Sequence, residues 1–198
     1  MCPRNDDIDR ALAGWRQGNK GAVEDLFGLV YDDLRALARR HLRYRRPGET
    51  LGPTALVHEV YLRFVQRSGP DLVDRDHFVA LAVRAMRMIV VDHWRRKHSR
   101  KRDPQSPIAV SPEEVAATGA LPILDVLALD EALGHLSALD ARQAKIVELR
   151  FFGGLTLEEI ALMFGVSERT VKREWQKARA FLYDAMRSVG TDDDARRV

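Results

Sequence analysis

Two small all-α domains, joined by a flexible linker that is acidic and contains prolines, are expected from this sequence on three grounds. Apolar residues return at three- and four-residue spacing in both halves, and β-branched residues nowhere alternate with polar ones over a long run. Between Asp103 and Asp130 stand four prolines and five acids, with no Lys or Arg. The composition, 45% hydrophobic and 31% charged with 7% aromatics, suits a folded soluble chain, and 198 residues leave room for two domains near the lower size limit.

The first domain is expected over residues 8–102. Val23, Leu26, Phe27, Val30, Leu34, Leu37 and Ala38 mark the buried face of one helix. A turn follows at Arg46-Pro47-Gly48, with Gly52-Pro53 just after it. Thr54 is placed to cap the next helix, whose apolar face is Leu56, Val57, Val60, Tyr61, Phe64 and Val65, and Ser68-Gly69-Pro70 ends it. A long helix from about His77 to His98 carries Phe78, Leu81, Ala82, Ala85 and Ile89 on one side and Arg84, Arg87 and Arg95 on another.

Charge is distributed in blocks. The formal net charge is only +3 and the pI about 9.2, yet Arg84–Arg102 holds eight Lys or Arg against one acid, Asp92. Such a block steers a protein toward a polyanion. The following segment, 103–126, is the linker; its negative charge disfavours lying on DNA.

The second domain is expected over 127–187, followed by a polar tail, 188–198, without structure. Its strongest signal lies between Leu155 and Leu182. Thr156 and Glu159 have the spacing of a capping box at the start of a short helix packed through Ile160, Ala161 and Phe164. Gly165 suits the left-handed stop, and Ser167 caps a second helix. There Val171, Trp175, Ala178 and Leu182 form the inward stripe, opposite Arg169, Lys172, Arg173 and Gln176, with Lys177 to one side. Two capped helices with segregated charge make a helix-turn-helix, whose second helix reads base edges from its first turns while cations grip phosphates.

These residues, with two more motifs, resemble the extracytoplasmic-function (ECF) sigma factors over roughly residues 8–187. Leu139-Asp140-Ala141-Arg142-Gln143, then Ile146 to Arg150, then Phe151 to Gly154 and the helix-turn-helix are similar to sigma region 4. The resemblance implies that Ser167, Arg169, Thr170, Lys172, Arg173, Gln176 and Lys177 meet the −35 promoter element; Glu174 stands where the family is often basic. Gly18-Asn19-Lys20-Gly21-Ala22 and Leu56-Val57-His58-Glu59-Val60-Tyr61-Leu62-Arg63 resemble region 2. The second of these motifs docks on the clamp helices of the largest subunit of core RNA polymerase in the family, which implies contacts by His58, Glu59, Tyr61 and Arg63. His58 replaces the family's glutamine and keeps a hydrogen-bonding tip.

The stretch from Phe78 through Asp92 to Arg96 aligns with the region that meets and melts the −10 element. Arg84, Arg87, Met88, His93, Arg95, Arg96 and Lys97 are the residues so implied. Leu81 stands for the family's tryptophan, and Met88 for an asparagine. Opened strands are held through cationic grooves and by stacking or pocketing extruded bases. Trp94 suits either such a platform or a packing role.

Catalysis is not expected. His58-Glu59 lacks the second histidine of a zinc-protease helix, because Leu62 occupies that position, and no phosphate loop, serine elbow or cysteine nucleophile is present. Neither cofactor nor metal is expected; the single Cys2 allows no intrachain disulfide, and His41, His77, His93, His98 and His135 are scattered toward the surface or helix ends. The most apolar stretch, Phe78–Val91, is interrupted by Arg84 and Arg87 and too short to span a bilayer. The expected setting is the cytoplasm, with no membrane partner. Core RNA polymerase and promoter DNA are the expected partners of a chain that is a monomer when free, and the resemblance adds an anti-sigma protein as a further candidate. Two other readings stay open at this level. An ordinary repressor or activator accounts for 155–182 but leaves Pro53–Arg102 without a role, and an adaptor binds another regulator through its helical faces.

Overall fold

The computed structural model describes residues 3–19, 21–42, 51–66, 74–100 and 126–194. Among them are eight α-helices, one π-helical segment and no strand. The chain divides into two compact units, Met1–Val90 and Val91–Val198.

The first unit is built from α1 (Pro3–Arg16), α2 (Gly21–His41), α3 (Pro53–Val65) and the first part of α4 (Arg75–Arg100). Each helix contributes one ring to a common cluster: Trp15, Phe27, Phe64 and Phe78. Phe64 lies 5.4 Å from Trp15, 5.7 Å from Phe27 and 5.6 Å from Phe78, the last two edge-on. Edge-to-face pairs at this range each add about 0.5–1.5 kcal/mol beyond the area they bury. The seven apolar positions expected on α2 are all buried, joined by Ala22 and His41. His41, expected near the surface or a helix end, is the last residue of α2 and turns inward.

Helix ends differ in part from expectation. The first helix begins at Pro3, ahead of the expected start at residue 8. On α3 the N-cap is Gly52 with Pro53 in the first turn and no side-chain cap, so Thr54 lies one position inside the helix and does not cap it. Asp74 performs the capping role for α4, its carboxylate accepting the His77 N–H at 2.8 Å. The buried side of α4 includes Phe78, Ala82 and Ile89 as expected, but Val83, Met86 and Val90 are also buried while Leu81 and Ala85 are only half-buried. The helix is covered over more than one stripe, which a single-face pattern does not anticipate. An Arg75–Asp33 ion pair at 3.2 Å ties its start to α2.

The second unit comprises the end of α4 with α5 (Val126–Leu139), α6 (Ala141–Val147), the π-helical segment Glu148–Phe152, α7 (Leu157–Phe164) and α8 (Glu168–Asp194). Asp140 caps α6 by accepting the Gln143 N–H at 2.9 Å. The π-helical turn closes where Gly153 N–H donates to Glu148 O at 3.1 Å, five residues back. Leu129, Leu133, Ile146, Leu149, Ile160 and Val171, each at most 1% exposed, form the centre of this core.

Within the second unit, the end of α4 is tied to α5 by Arg95, which pairs with Asp130 at 3.1 Å. Of the linker expected at 103–126 only Val126 is described, as the first residue of α5. The last helix runs to Asp194, into the stretch 188–198 expected as an unstructured tail; once a helix is nucleated, each residue fixed gains one hydrogen bond. The turn at Arg46-Pro47-Gly48, the stop at Ser68-Gly69-Pro70, the linker residues 103–125 and the tail residues 195–198 lie outside the described residues.

Candidate functional site

The helix-turn-helix forms as its local chemistry dictates. Thr156 Oγ1 accepts the Glu159 N–H at 3.1 Å, and the Glu159 carboxylate accepts the Thr156 N–H at 2.6 Å, completing the capping box of α7. Arg150 Nη1 donates to Leu155 O at 2.7 Å and braces the approach to that cap. Gly165 ends α7 with φ 62° and ψ 35°, a left-handed backbone that glycine adopts at little cost. Ser167 Oγ then accepts the Thr170 N–H at 3.2 Å and lies 2.9 Å from Thr170 Oγ1. Both hydroxyls, expected at the −35 element, are therefore engaged in starting α8.

Along α8, Val171, Ala178 and Leu182 are buried and Trp175 is half-buried, whereas Arg169, Lys172, Arg173, Gln176 and Lys177 are exposed. Four cations and an amide thus share the solvent side of one helix, next to a glycine turn that sets its direction. Glu174 lies on the shoulder of this face and is turned to α6, where Arg142 Nε donates to its Oε2 at 3.0 Å.

On α4 the candidates separate by exposure. Arg84 and Met88, one turn apart, are exposed, Met88 at 46%, whereas Arg87 is half-buried. In the second unit Arg95 and Arg96 are exposed, and His93 and Trp94 are half-buried. Arg95 pairs with Asp130, and Arg96 Nε donates to the Asp92 carbonyl at 3.2 Å. The Lys97 side chain lies outside the described residues.

On α3, His58 and Glu59 are exposed together on the outer side, and Arg63 is half-buried. Tyr61 does not share their exposure: its ring meets Phe27 edge-on at 5.2 Å, and its hydroxyl donates to Glu24 Oε1 at 3.3 Å. Partial burial first, and the Glu24 carboxylate second, raise its pKa above the ordinary 10.0. His58 lies over Tyr61 with the ring planes 28° apart. Two apolar residues enlarge the outer face: Leu62 at 39% exposure and Val65 at 37%. Leu62 falls outside the Leu56, Val57, Val60, Phe64 stripe and is detectable by that. Val65, expected on the apolar face, is in the last turn of the helix and is exposed.

Among the described residues no group of three or more His, Cys, Asp or Glu is placed to hold a metal, and no helix is long and apolar enough to cross a membrane.

A family model described as ECF sigma factor matches residues 5–188. The chain is also similar to the ECF RNA polymerase sigma factor BldN of Streptomyces coelicolor, 28% identical over 191 residues, which is 96% of this chain and 66% of that protein's length.

Proposed function

This chain belongs to the ECF sigma factor family, and from that membership we propose that it joins core RNA polymerase and directs initiation at promoters with two separated elements. The observation that carries the reading is the helix-turn-helix of α7 and α8, with Arg169, Lys172, Arg173, Gln176 and Lys177 exposed on the second helix. A helix of this width enters the major groove, where side chains from its first turns reach base edges and flanking cations hold phosphates. In this reading α8 meets the −35 duplex. The ionic part of that contact is independent of sequence and sensitive to salt, and the base contacts supply selectivity.

The −10 element falls to α4. Arg84, Arg87, Arg95, Arg96 and Lys97 are the cations assigned to the separated strand, with His93 as a further polar candidate and Met88 as an apolar contact for an unstacked base. The outer face of α3, with His58, Glu59 and Arg63, docks on the clamp helices of the polymerase's largest subunit. Tyr61, half-buried at its edge, joins them and also braces this face through Phe27 and Glu24. Linking two modest DNA contacts through one chain makes the second effectively intramolecular, so neither has to be strong alone. Promoter opening takes place where polymerase and chromosome are, in the cytoplasm. An anti-sigma protein is a further partner in keeping with the family.

Transcription in vitro tests this. Purified chain added to core polymerase on genomic templates is expected to co-elute with the core and to yield transcripts with defined start sites. Duplex binding without a core complex would instead favour an ordinary helix-turn-helix regulator.

A further inference from the structure

We propose that Arg142 and Glu174 form a positioning pair that holds α8 at its reading angle, so that Glu174 aids duplex recognition in spite of its charge. The inference rests on the reading of α8 as the −35 helix. Its basis is the reach of one side chain. From α6, Arg142 donates through Nε to Glu174 on α8 at 3.0 Å, while its guanidinium lies 5.6 Å from the ring centroid of Phe164, the last residue of α7. The Lys145 ammonium, one turn along α6, lies 5.6 Å from the same centroid. Arg142 therefore touches both helices on either side of the Gly165 turn. A planar guanidinium can stack on a ring and hydrogen-bond in its own plane at once, which an ammonium cannot.

Burial and charge point the same way. The Glu174 side chain is 18% exposed and that of Arg142 45%, so the carboxylate is the more enclosed member and its charge is compensated within the fold. Between Arg173 and the next exposed cation of α8, a free carboxylate would repel phosphate. A carboxylate committed to Arg142 instead fixes the roll of the helix, and with it the direction in which Arg169, Lys172, Arg173 and Gln176 point.

The two accounts differ in sign. If Glu174 merely opposes phosphate, neutralising it strengthens binding; if it positions α8, neutralising it weakens base discrimination. The test uses the full-length chain assembled with core polymerase and a labelled promoter, mapped by transcription in vitro, whose −35 element is intact or scrambled. Glu174→Gln is expected to lower the ratio of affinities for the two by about threefold, the scale of a half-exposed ion pair. Glu174→Arg alone, which sets two cations against each other, is expected to lower it further. The exchanged pair, Arg142→Glu with Glu174→Arg, is expected to recover part of it, the share carried by the ion pair and not that carried by the Phe164 ring. An unchanged or increased ratio in either single variant overturns the proposal. So does failure of the exchanged pair to recover discrimination while its thermal unfolding matches that of the wild type. Should the wild-type holoenzyme not distinguish the two promoters, the assignment of α8 to the −35 element falls, and the positioning role falls with it.

Discussion

Tyr61 illustrates how one side chain changes meaning once its neighbours are in place. By position in its motif it stands among the docking residues; by contact it is the link between α3 and α2, resting on Phe27 and bonded to Glu24. Partial burial and the nearby carboxylate both favour the neutral phenol, so the folded chain binds this proton more tightly than the unfolded chain does. The resulting stabilisation is complete below the unfolded value of 10.0 and is lost as the pH rises through the higher folded value. Ultraviolet titration of the folded protein is expected to show one phenol ionising late. Glu24→Gln should lower that midpoint and Tyr61→Phe abolish it; a late phenol that persists in Tyr61→Phe would refute the assignment.

The start of α7 rests on the reciprocal bonds of Thr156 and Glu159, both legible from their spacing. Thr156→Ala is expected to cost about 1 kcal/mol of stability, read by chemical denaturation, with a matching loss of −35 binding when measured near the unfolding transition. The outer face of α3 makes a separate prediction. Its exposed His58, Glu59 and Leu62 contribute little to the core of the first unit, so Glu59→Lys is expected to leave thermal stability within about 0.5 kcal/mol of wild type. The same change should weaken core-polymerase binding several-fold, as measured by competition with a labelled wild-type chain; undiminished competition would place the docking surface elsewhere. These two elements were readable to different degrees. The caps of α7 and α8 act within three residues of chain, so sequence spacing defines them. The faces of α3 were half readable: Leu56, Val57, Val60 and Phe64 follow the helical period and are buried, while Val65, in the last turn, is expected on the same face and is exposed.

At the scale of the whole molecule, the basic character matters more than the net charge of +3 suggests, because Arg84–Arg102 holds eight Lys or Arg against one acid and Arg169–Arg179 holds five against Glu174. Promoter affinity is expected to fall steeply with salt, and Lys172→Ala is expected to reduce the slope of log K against log salt by about 1, with little change in sequence preference. A slope unaltered by Lys172→Ala would mean that this side chain meets no phosphate. Long-range pairs are not legible in composition: Arg95 of α4 finds Asp130 of α5, 35 residues on.

The amino-acid order by itself determined the helical character of the chain, the buried stripe of α2, and the cap, turn and second cap of the helix-turn-helix. Each of these depends on residues within a few positions of one another, where backbone geometry alone sets who meets whom. Tertiary structure decided the rest: the four-ring cluster of Trp15, Phe27, Phe64 and Phe78, the contacts of Tyr61 with Phe27 and Glu24, and the engagement of Glu174 by Arg142. Those contacts join residues far apart in the chain, and the partner of a side chain across a helix interface follows from packing angle and burial, which no local pattern encodes.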